Sequence, residues 1–158
     1  MKTLKRRRLE RKTDYKARLA LLESGKPRLI LRKTNRYMNA QIVESKNAHD
    51  KIIFGVTSAD LIDKGWPIEH RGRLKSLGAG YLTGLLLGKE AKGKVREAIL
   101  DIGMNRNIPK SRLYAVLKGV IESGISIPHD PSVLPTDEML EKNEITRPLI
   151  KKLKEKII

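Results

Sequence analysis

Residues 28–57, RLILRKTNRYMNAQIVESKNAHDKIIFGVT, decide the fold. Residues 28–32 are rich in branched apolar side chains directly after a glycine and proline break, which is typical of a β-strand. Residues 37–43 alternate large or apolar side chains with polar ones, so they predict a second strand that returns antiparallel to the first. A polar turn at 45–50 precedes residues 51–57, whose β-branched and aromatic side chains predict a third strand. The segment therefore predicts a three-stranded meander.

Two helices and a fourth strand follow the meander. Residues 60–75 lack a clear period, and we expect a surface loop or a short helical turn there. Ser76 is placed to cap a helix, and residues 97–103 predict a strand whose position after that helix favours parallel pairing with an earlier strand. Ser111 should cap a second helix, which carries one apolar stripe and ends at Gly124. The order β-β-β-α-β-α predicts an α/β fold, with a mixed β-sheet covered by helices.

The first of these helices carries a glycine at every fourth position along one face. Each glycine inside a helix costs about 1 kcal/mol relative to alanine, so three on one face indicate a close approach to a neighbour. We expect that face to pack on the sheet, and contact with another molecule's backbone is the alternative. The residues are Gly80, Gly84 and Gly88.

Composition divides the chain into three regions. We predict a basic arm at 1–26, an α/β core domain at 27–130 and a C-terminal tail at 131–158. The hydrophobic share, 39% of 158 residues, is enough for one core. The tail is at first proline-rich and acidic, and then turns basic at 147–156, where a short terminal helix is expected.

Several classes of protein do not fit this composition. The chain has no cysteine, which excludes disulfides and thiolate metal sites. No stretch has the roughly 20 apolar residues of a membrane helix. No apolar run follows the N-terminal charges, so we expect no secretory signal, no membrane partner and a cytosolic location.

The N-terminal region concentrates positive charge. Residues 1–18, MKTLKRRRLERKTDYKAR, contain nine basic side chains and two acidic ones. Residues 1–36 together carry +11 of the formal net charge of +16. Such a segment favours binding to a polyanion, because each cation that meets a phosphate releases condensed counterions. A solvated tail or a nuclear-import signal is the alternative, and attachment to anionic lipid is weaker because no apolar face accompanies the charges.

The arm supplies the first set of candidate contacts to a polyanion such as a nucleic acid. Arginine can bind two phosphate oxygens through its planar fork, whereas lysine acts as a point charge. Tyr15 could stack on an exposed base or anchor the arm to the domain. A helical arm would carry cations on several faces, which suits an RNA groove, and ordering only on binding is the alternative. The charged candidates are Lys5, Arg6, Arg7, Arg8, Arg11, Lys12, Lys16 and Arg18.

The predicted hairpin supplies a second set of candidates. Its cations stand beside an amide and an aromatic ring, which can read unpaired bases as well as shape. The alternatives are that the asparagine fits a tight turn and that the tyrosine packs at a sheet edge. The residues are Arg28, Arg32, Lys33, Asn35, Arg36 and Tyr37.

Catalytic and metal chemistry have little support in the sequence. A nuclease that uses two metal ions needs carboxylates at strand ends, but the first strand has none. Asp101 lies on a predicted strand, whereas Asp50, Asp60 and Asp63 lie in or near loops, and no spacing brings them together. The three histidines are isolated and lack the spacing of a zinc site. We therefore predict no enzyme activity, no metal and no cofactor, and keep a metal-dependent nucleic-acid enzyme as the alternative.

Four blocks and a closing tripeptide, in this order, resemble one protein family. The blocks are 27–43 (PRLILRKTNRYMNAQIV), 81–89 (YLTGLLLGK), 98–103 (AILDIG) and 111–119 (SRLYAVLKG), and IPH closes the series at 127–129. The chain resembles the 5S rRNA-binding ribosomal protein eighteen family of the large subunit, in its archaeal and eukaryotic branch.

This resemblance implies a fold and a role. The fold would be a mixed-sheet α/β domain with ribonuclease H-like topology, and the protein would be non-catalytic. It would bind 5S rRNA through the basic arm and the adjoining sheet, and help to dock that RNA on the central protuberance. The implied partners are 5S rRNA, the large-subunit rRNA and neighbouring large-subunit proteins, on ribosomes in the cytoplasm.

Overall fold

The computed structural model describes residues 3, 5–10, 12–47 and 49–157. Two short helices form the N-terminal arm, four strands form one sheet, and four helices follow the meander. Short 3₁₀ segments lie at Ser58–Leu61, Ile68–Arg73 and Pro131–Val133. The strands are β1 (Arg28–Lys33), β2 (Met38–Lys46), β3 (His49–Thr57) and β4 (Ile99–Asp101). The helices are α1 (Arg6–Leu9), α2 (Tyr15–Glu23), α3 (Leu77–Ala91), α4 (Arg112–Glu122), α5 (Asp137–Glu141) and α6 (Arg147–Ile157).

The four strands form a mixed sheet in the order β3-β2-β1-β4. β2 pairs antiparallel with both β1 and β3, whereas β4 runs parallel to β1, with Leu29 opposite Leu100. The α/β class, the meander and the parallel crossover predicted from the sequence are all confirmed. The polar turn predicted at 45–50 is wrong in extent, because the pairing continues to Lys46 and His49. Asn47 has φ 52°, a left-handed conformation that asparagine tolerates and that permits this tight turn.

β1 presents two chemically different faces. Leu29 and Leu31 have no exposed surface and lie in the core. Successive strand residues point to opposite faces, so Arg28 and Arg32 lie on the other side of the sheet. This alternation keeps Arg28 and Arg32 on the face of the sheet that lies close to the arm.

α3 and α4 pack against each other through glycine. A Cβ added to Gly84 would overlap the carbonyl oxygen of Val116 and lie 3.1 Å from the Cα of Gly119. Gly80 and Gly88 also face α4. The expectation that this stripe packs on the sheet is therefore wrong. Backbones come this close because glycine stands on both helices, at Gly84 and Gly119, with no side chain between them.

The two predicted helix caps differ. The Ser76 hydroxyl oxygen accepts a hydrogen bond from the Ala79 amide at 3.2 Å, so the predicted cap of α3 is confirmed. Ser111 occupies the N-cap position of α4, but its side chain makes no capping hydrogen bond. The predicted N-cap position of Ser111 is therefore confirmed, without a hydrogen bond from its side chain.

The C-terminal residues contribute to the core. Leu140 of α5 and three apolar residues of α6 are buried in the main hydrophobic cluster, so the core continues beyond residue 130. The Ile150 side chain fills the space left by Gly78 of α3, where a Cβ would clash with it. The terminal helix expected at 147–156 is present as α6, and α3 is one of its packing partners. Its buried residues, Ile150, Leu153 and Ile157, recur at helical spacing.

Candidate nucleic-acid interface

The arm is helical and largely exposed in the described part of the chain. Asp14 caps α2, because its side chain accepts hydrogen bonds from the Lys16 and Ala17 amides at 3.0 and 3.3 Å. The exposed cations of α1 are Arg6, Arg7 and Arg8. Lys16 is exposed on α2, and Lys5 and Lys12 are exposed outside the two helices. Arg11, which the sequence analysis also named, lies outside the described residues.

Some of the arm's cations are engaged within the arm. Glu10 lies 2.9 Å from Arg6 Nε and 2.7 Å from Lys12 Nζ. The hydrogen bond from Lys12, and to a smaller extent the one from Arg6, holds the pKa of Glu10 below its usual value, so Glu10 stays charged. The Lys5 ammonium lies 4.6 Å from the centre of the Tyr15 ring, which makes Tyr15 a cation–π partner within the arm.

Arg18 ties the arm to the sheet. Its Nη2 donates to Asp50 Oδ2 at 2.8 Å, and Asp50 Oδ1 accepts from Arg28 Nη2 at 2.7 Å. Partial desolvation by itself raises the pKa of Asp50, but hydrogen bonds from Ser45, Arg28 and Arg18 outweigh it and lower that pKa below its usual value. The charged carboxylate of Asp50 therefore links α2 to the N-terminal end of β3.

Arg28 is a structural residue. Its side chain is 1% exposed, and its Nη1 donates to Asp101 Oδ2 at 3.0 Å. The prediction that Arg28 belongs to an exposed cationic surface is wrong, because three side chains and the sheet enclose its guanidinium. Those side chains, Ser45, Asp50 and Asp101, satisfy the two terminal nitrogens.

Arg32 is both anchored and accessible. Its Nη2 donates to Asp101 Oδ1 at 2.9 Å and its Nη1 donates to the Asp101 carbonyl oxygen at 2.7 Å. Its side chain is still 40% exposed. Because Asp101 fixes the direction of the guanidinium, the exposed edge of Arg32 is held in one orientation beside the arm.

The arm and the sheet enclose an open crevice of about 620 Å³. Arg7, Lys12 and Arg18 approach it from the arm, and Arg32 approaches it from β1. The residues of β4 also line this crevice. The structure thus brings together candidates that the sequence analysis had placed in two separate sets.

The Asp101 carboxylate is paired with arginine side chains. Both of its oxygens bind arginine, and Oδ1 also accepts from the Gly103 amide at 2.9 Å. Over the described ranges, no three histidine, cysteine, aspartate or glutamate side chains lie close enough together to hold a metal ion. The arginines occupy the oxygens that a metal ligand would need.

The D101N variant is predicted to lose stability. The amide keeps the shape but removes the charge between Arg28 and Arg32, so we expect the free energy of unfolding to fall by about 2 kcal/mol. Asp50 still pairs with Arg28, which limits the loss. Urea unfolding measures the change, and D63N, the same substitution at an exposed aspartate outside this cluster, serves as the comparison. Equal unfolding midpoints for D101N and the unsubstituted chain would contradict a stabilising role.

The remaining hairpin candidates lie elsewhere. Lys33, Asn35 and Arg36 are exposed at the β1–β2 turn. Tyr37 is half-buried, and its hydroxyl accepts hydrogen bonds from Arg71 Nε at 3.2 Å and Nη2 at 3.0 Å. The turn hydrogen bond joins the Thr34 amide to the Tyr37 carbonyl oxygen at 2.9 Å, so Asn35 does occupy a tight turn.

Sequence reasoning missed four cations beside this turn. Residues 60–75 were expected only to form a loop or a helical turn, and no role was given to the basic residues at their end. The sequence did contain a signal for these cations: positions 71, 73 and 75 are all basic, and no acidic residue lies between them. With Arg112 from the start of α4, they line one groove: Arg71, Arg73, Lys75 and Arg112.

Comparison with known families identifies the chain. A family model described as ribosomal large subunit proteins 60S L5 and 50S L18 matches residues 1–97, which include the arm, the meander and α3. The chain belongs to this L5/L18 family. The resemblance found in the sequence blocks is thereby confirmed.

Curated L5/L18-family proteins extend the match beyond residue 97. The chain is 48% identical to large ribosomal subunit protein uL18 of Korarchaeum cryptofilum over 141 residues, which cover 89% of the chain and 70% of that protein. It is 45% identical to uL18 of Halobacterium salinarum, over 82% of the chain and 69% of that protein. Identity to uL18 of Aeropyrum pernix is 41%, over 90% of the chain and 65% of that protein.

Membership of the L5/L18 family fixes the class of protein. The chain is a structural protein of the large ribosomal subunit in the cytoplasm, and not an enzyme. The prediction against catalysis is confirmed by this membership. Separately, none of the helices in the described residues is long and apolar enough to cross a membrane.

Proposed function

We propose that this L5/L18-family chain binds 5S rRNA and helps to dock it on the central protuberance of the large subunit. One observation carries the proposal: arm and sheet present their cations to a common crevice, with Arg7, Lys12, Arg18 and Arg32 on its walls. A crevice walled by cations on two sides binds a phosphate backbone better than a solvated tail would.

The interface has an exposed part on α1 and an oriented part on β1. On α1, Arg6, Arg7 and Arg8 are exposed and supply affinity through phosphate contacts. Arg32 is held by Asp101, so it contributes a guanidinium of defined direction. The ion pair between Arg18 and Asp50 sets the position of the arm relative to the sheet. Orientation by these two pairs lets the arm recognise RNA shape as well as charge.

The proposed partners follow from this arrangement. We propose 5S rRNA as the RNA in the crevice, and the long large-subunit rRNA and neighbouring ribosomal proteins as contacts of the other surfaces. Residues 1–26 then act as the RNA-binding arm of the core domain. Arg28 is left out of the RNA-binding set because its guanidinium is buried.

Competition binding tests the proposal. The purified chain is titrated with labelled 5S rRNA at salt concentrations from about 0.1 to 0.5 M, with unlabelled tRNA as a competitor of similar charge density. We expect tight binding that falls steeply with salt and resists a large excess of tRNA. Equal displacement by tRNA and by unlabelled 5S rRNA would contradict the proposal, because charge alone would then account for binding.

A further inference from the structure

We propose that a cationic groove at the β1–β2 turn is a second binding site for the phosphate backbone of ribosomal RNA. We call it the turn groove and define it by Arg36, Tyr37, Arg71, Arg73, Lys75 and Arg112. The inference deepens the proposed function, on which it rests, by adding a site that the arm does not form. The groove and the arm crevice share no lining residue.

The charges of the turn groove are not neutralised by the protein. None of its five cations lies within 4.0 Å of a carboxylate in the described part of the chain. Lining residues other than these cations are neutral, and the groove has a volume of about 560 Å³. Five like charges around one depression repel one another, so an anionic ligand stabilises the arrangement.

Neutral groups of the protein hold several of these cations in place. Arg71 donates to the Tyr37 hydroxyl through two nitrogens, Arg73 Nη1 donates to Asn143 Oδ1 at 3.3 Å, and Lys75 Nζ donates to the Asn35 carbonyl oxygen at 3.4 Å. These contacts orient the side chains without cancelling their charge. Arginine forks that are already oriented lose less entropy when they bind phosphate oxygens.

The helices add positive potential at the same end of the domain. α3 and α4 run parallel, since Gly80, Gly84 and Gly88 face successively later residues of α4. Both helices therefore begin beside the turn groove, and neither has an acidic residue in its first turn. Helix N-termini carry partial positive charge. This potential supplements the five side chains, which carry the inference.

An RNA backbone matches these features better than a single small anion. The cations come from three separate segments, at the β1–β2 turn, the 71–75 segment and the start of α4. Tyr37 stands beside them with its ring half-buried and its hydroxyl fixed by Arg71, so the ring can contact a sugar or a base edge. Successive phosphates along one strand can meet several such cations at once.

The test measures RNA binding by two groove variants of the full chain. R71Q/R73Q/R112Q removes three charges, and R36Q/R112Q removes two cations whose side chains make no hydrogen bond to the protein among the described residues. Each is titrated with 5S rRNA and with the long large-subunit rRNA across the same salt series. K64Q/K92Q/K152Q removes three exposed charges outside the groove and the arm, and is the control. Urea unfolding confirms that each variant is folded.

The expected result is a roughly 30-fold loss of affinity for R71Q/R73Q/R112Q at about 0.1 M salt, with a salt slope smaller by about two, and a roughly tenfold loss for R36Q/R112Q. Loss toward 5S rRNA identifies that RNA as the occupant, and loss only toward the long rRNA identifies that one. Affinities for both RNAs that match the control would overturn the inference. Failure of the proposed function is distinct, since the unsubstituted chain would then show no preference for 5S rRNA over tRNA.

Discussion

The G84A variant is expected to lose about 3 kcal/mol or more of its free energy of unfolding. The new methyl group would overlap the Val116 carbonyl oxygen, and backbone cannot move aside as a flexible side chain can. α3 and α4 would have to separate, which exposes buried surface on both. Alanine's better helix propensity returns only about 1 kcal/mol, so the net effect stays strongly destabilising.

G72A is the matched control for this prediction. Gly72 has no atom within 4 Å of an added Cβ and no positive φ, so its replacement should change stability by less than about 0.5 kcal/mol. Urea unfolding followed by circular dichroism compares the two variants. If G84A unfolded at the same urea concentration as G72A, the close approach of α3 and α4 would be wrong.

Neutralising the first helix of the arm is expected to weaken RNA binding by about 100-fold to 1000-fold. The variant R6Q/R7Q/R8Q removes three exposed cations from α1 without touching Arg18, which holds the arm to the sheet. Each lost phosphate contact reduces the slope of log affinity against log salt by about 0.7 to 0.9. The three together should reduce the slope by about two to three. Filter binding or fluorescence anisotropy with 5S rRNA measures both quantities.

The control separates local contacts from net charge. K64Q/K92Q/K152Q carries the same change in net charge on exposed residues outside the arm, and it should keep affinity within a few-fold of the unsubstituted chain. Equal losses in the two triple variants would show that the arm contributes only through long-range attraction. That outcome would contradict specific phosphate contacts from α1.

Local sequence patterns predicted most of the fold. Three local patterns were informative: the apolar alternation of β1 and β2, the glycine before β1 and the apolar stripe of α4. Each pattern depends only on residues that are neighbours in the chain, and the structure has the predicted type of element at each place. The partner of the glycine stripe was not predictable, because it depends on Gly119, which is 35 positions from Gly84 and faces it only in the folded chain. Long-range pairing of this kind leaves no local period.

The charged site was predicted less completely than the fold. Basic residues are easily counted, but the sequence does not show which of them are buried. Arg28 and Arg32 lie on the same face of β1. Only Arg28 is enclosed by Ser45, Asp50 and Asp101. The acids that enclose it come from β3 and β4. The turn groove was missed for the same reason, since Arg36, Arg71 and Arg112 are adjacent only in the folded chain.

RNA–protein crosslinking in assembled large subunits that contain this chain tests the central claim most directly. Subunits are crosslinked, digested, and the attached nucleotides are assigned to 5S rRNA or to the long rRNA for each peptide. The account predicts crosslinks between peptides of the arm and 5S rRNA, with Tyr15 or a neighbouring residue among the attachment points. Arm peptides attached only to the long rRNA or only to other proteins would contradict it.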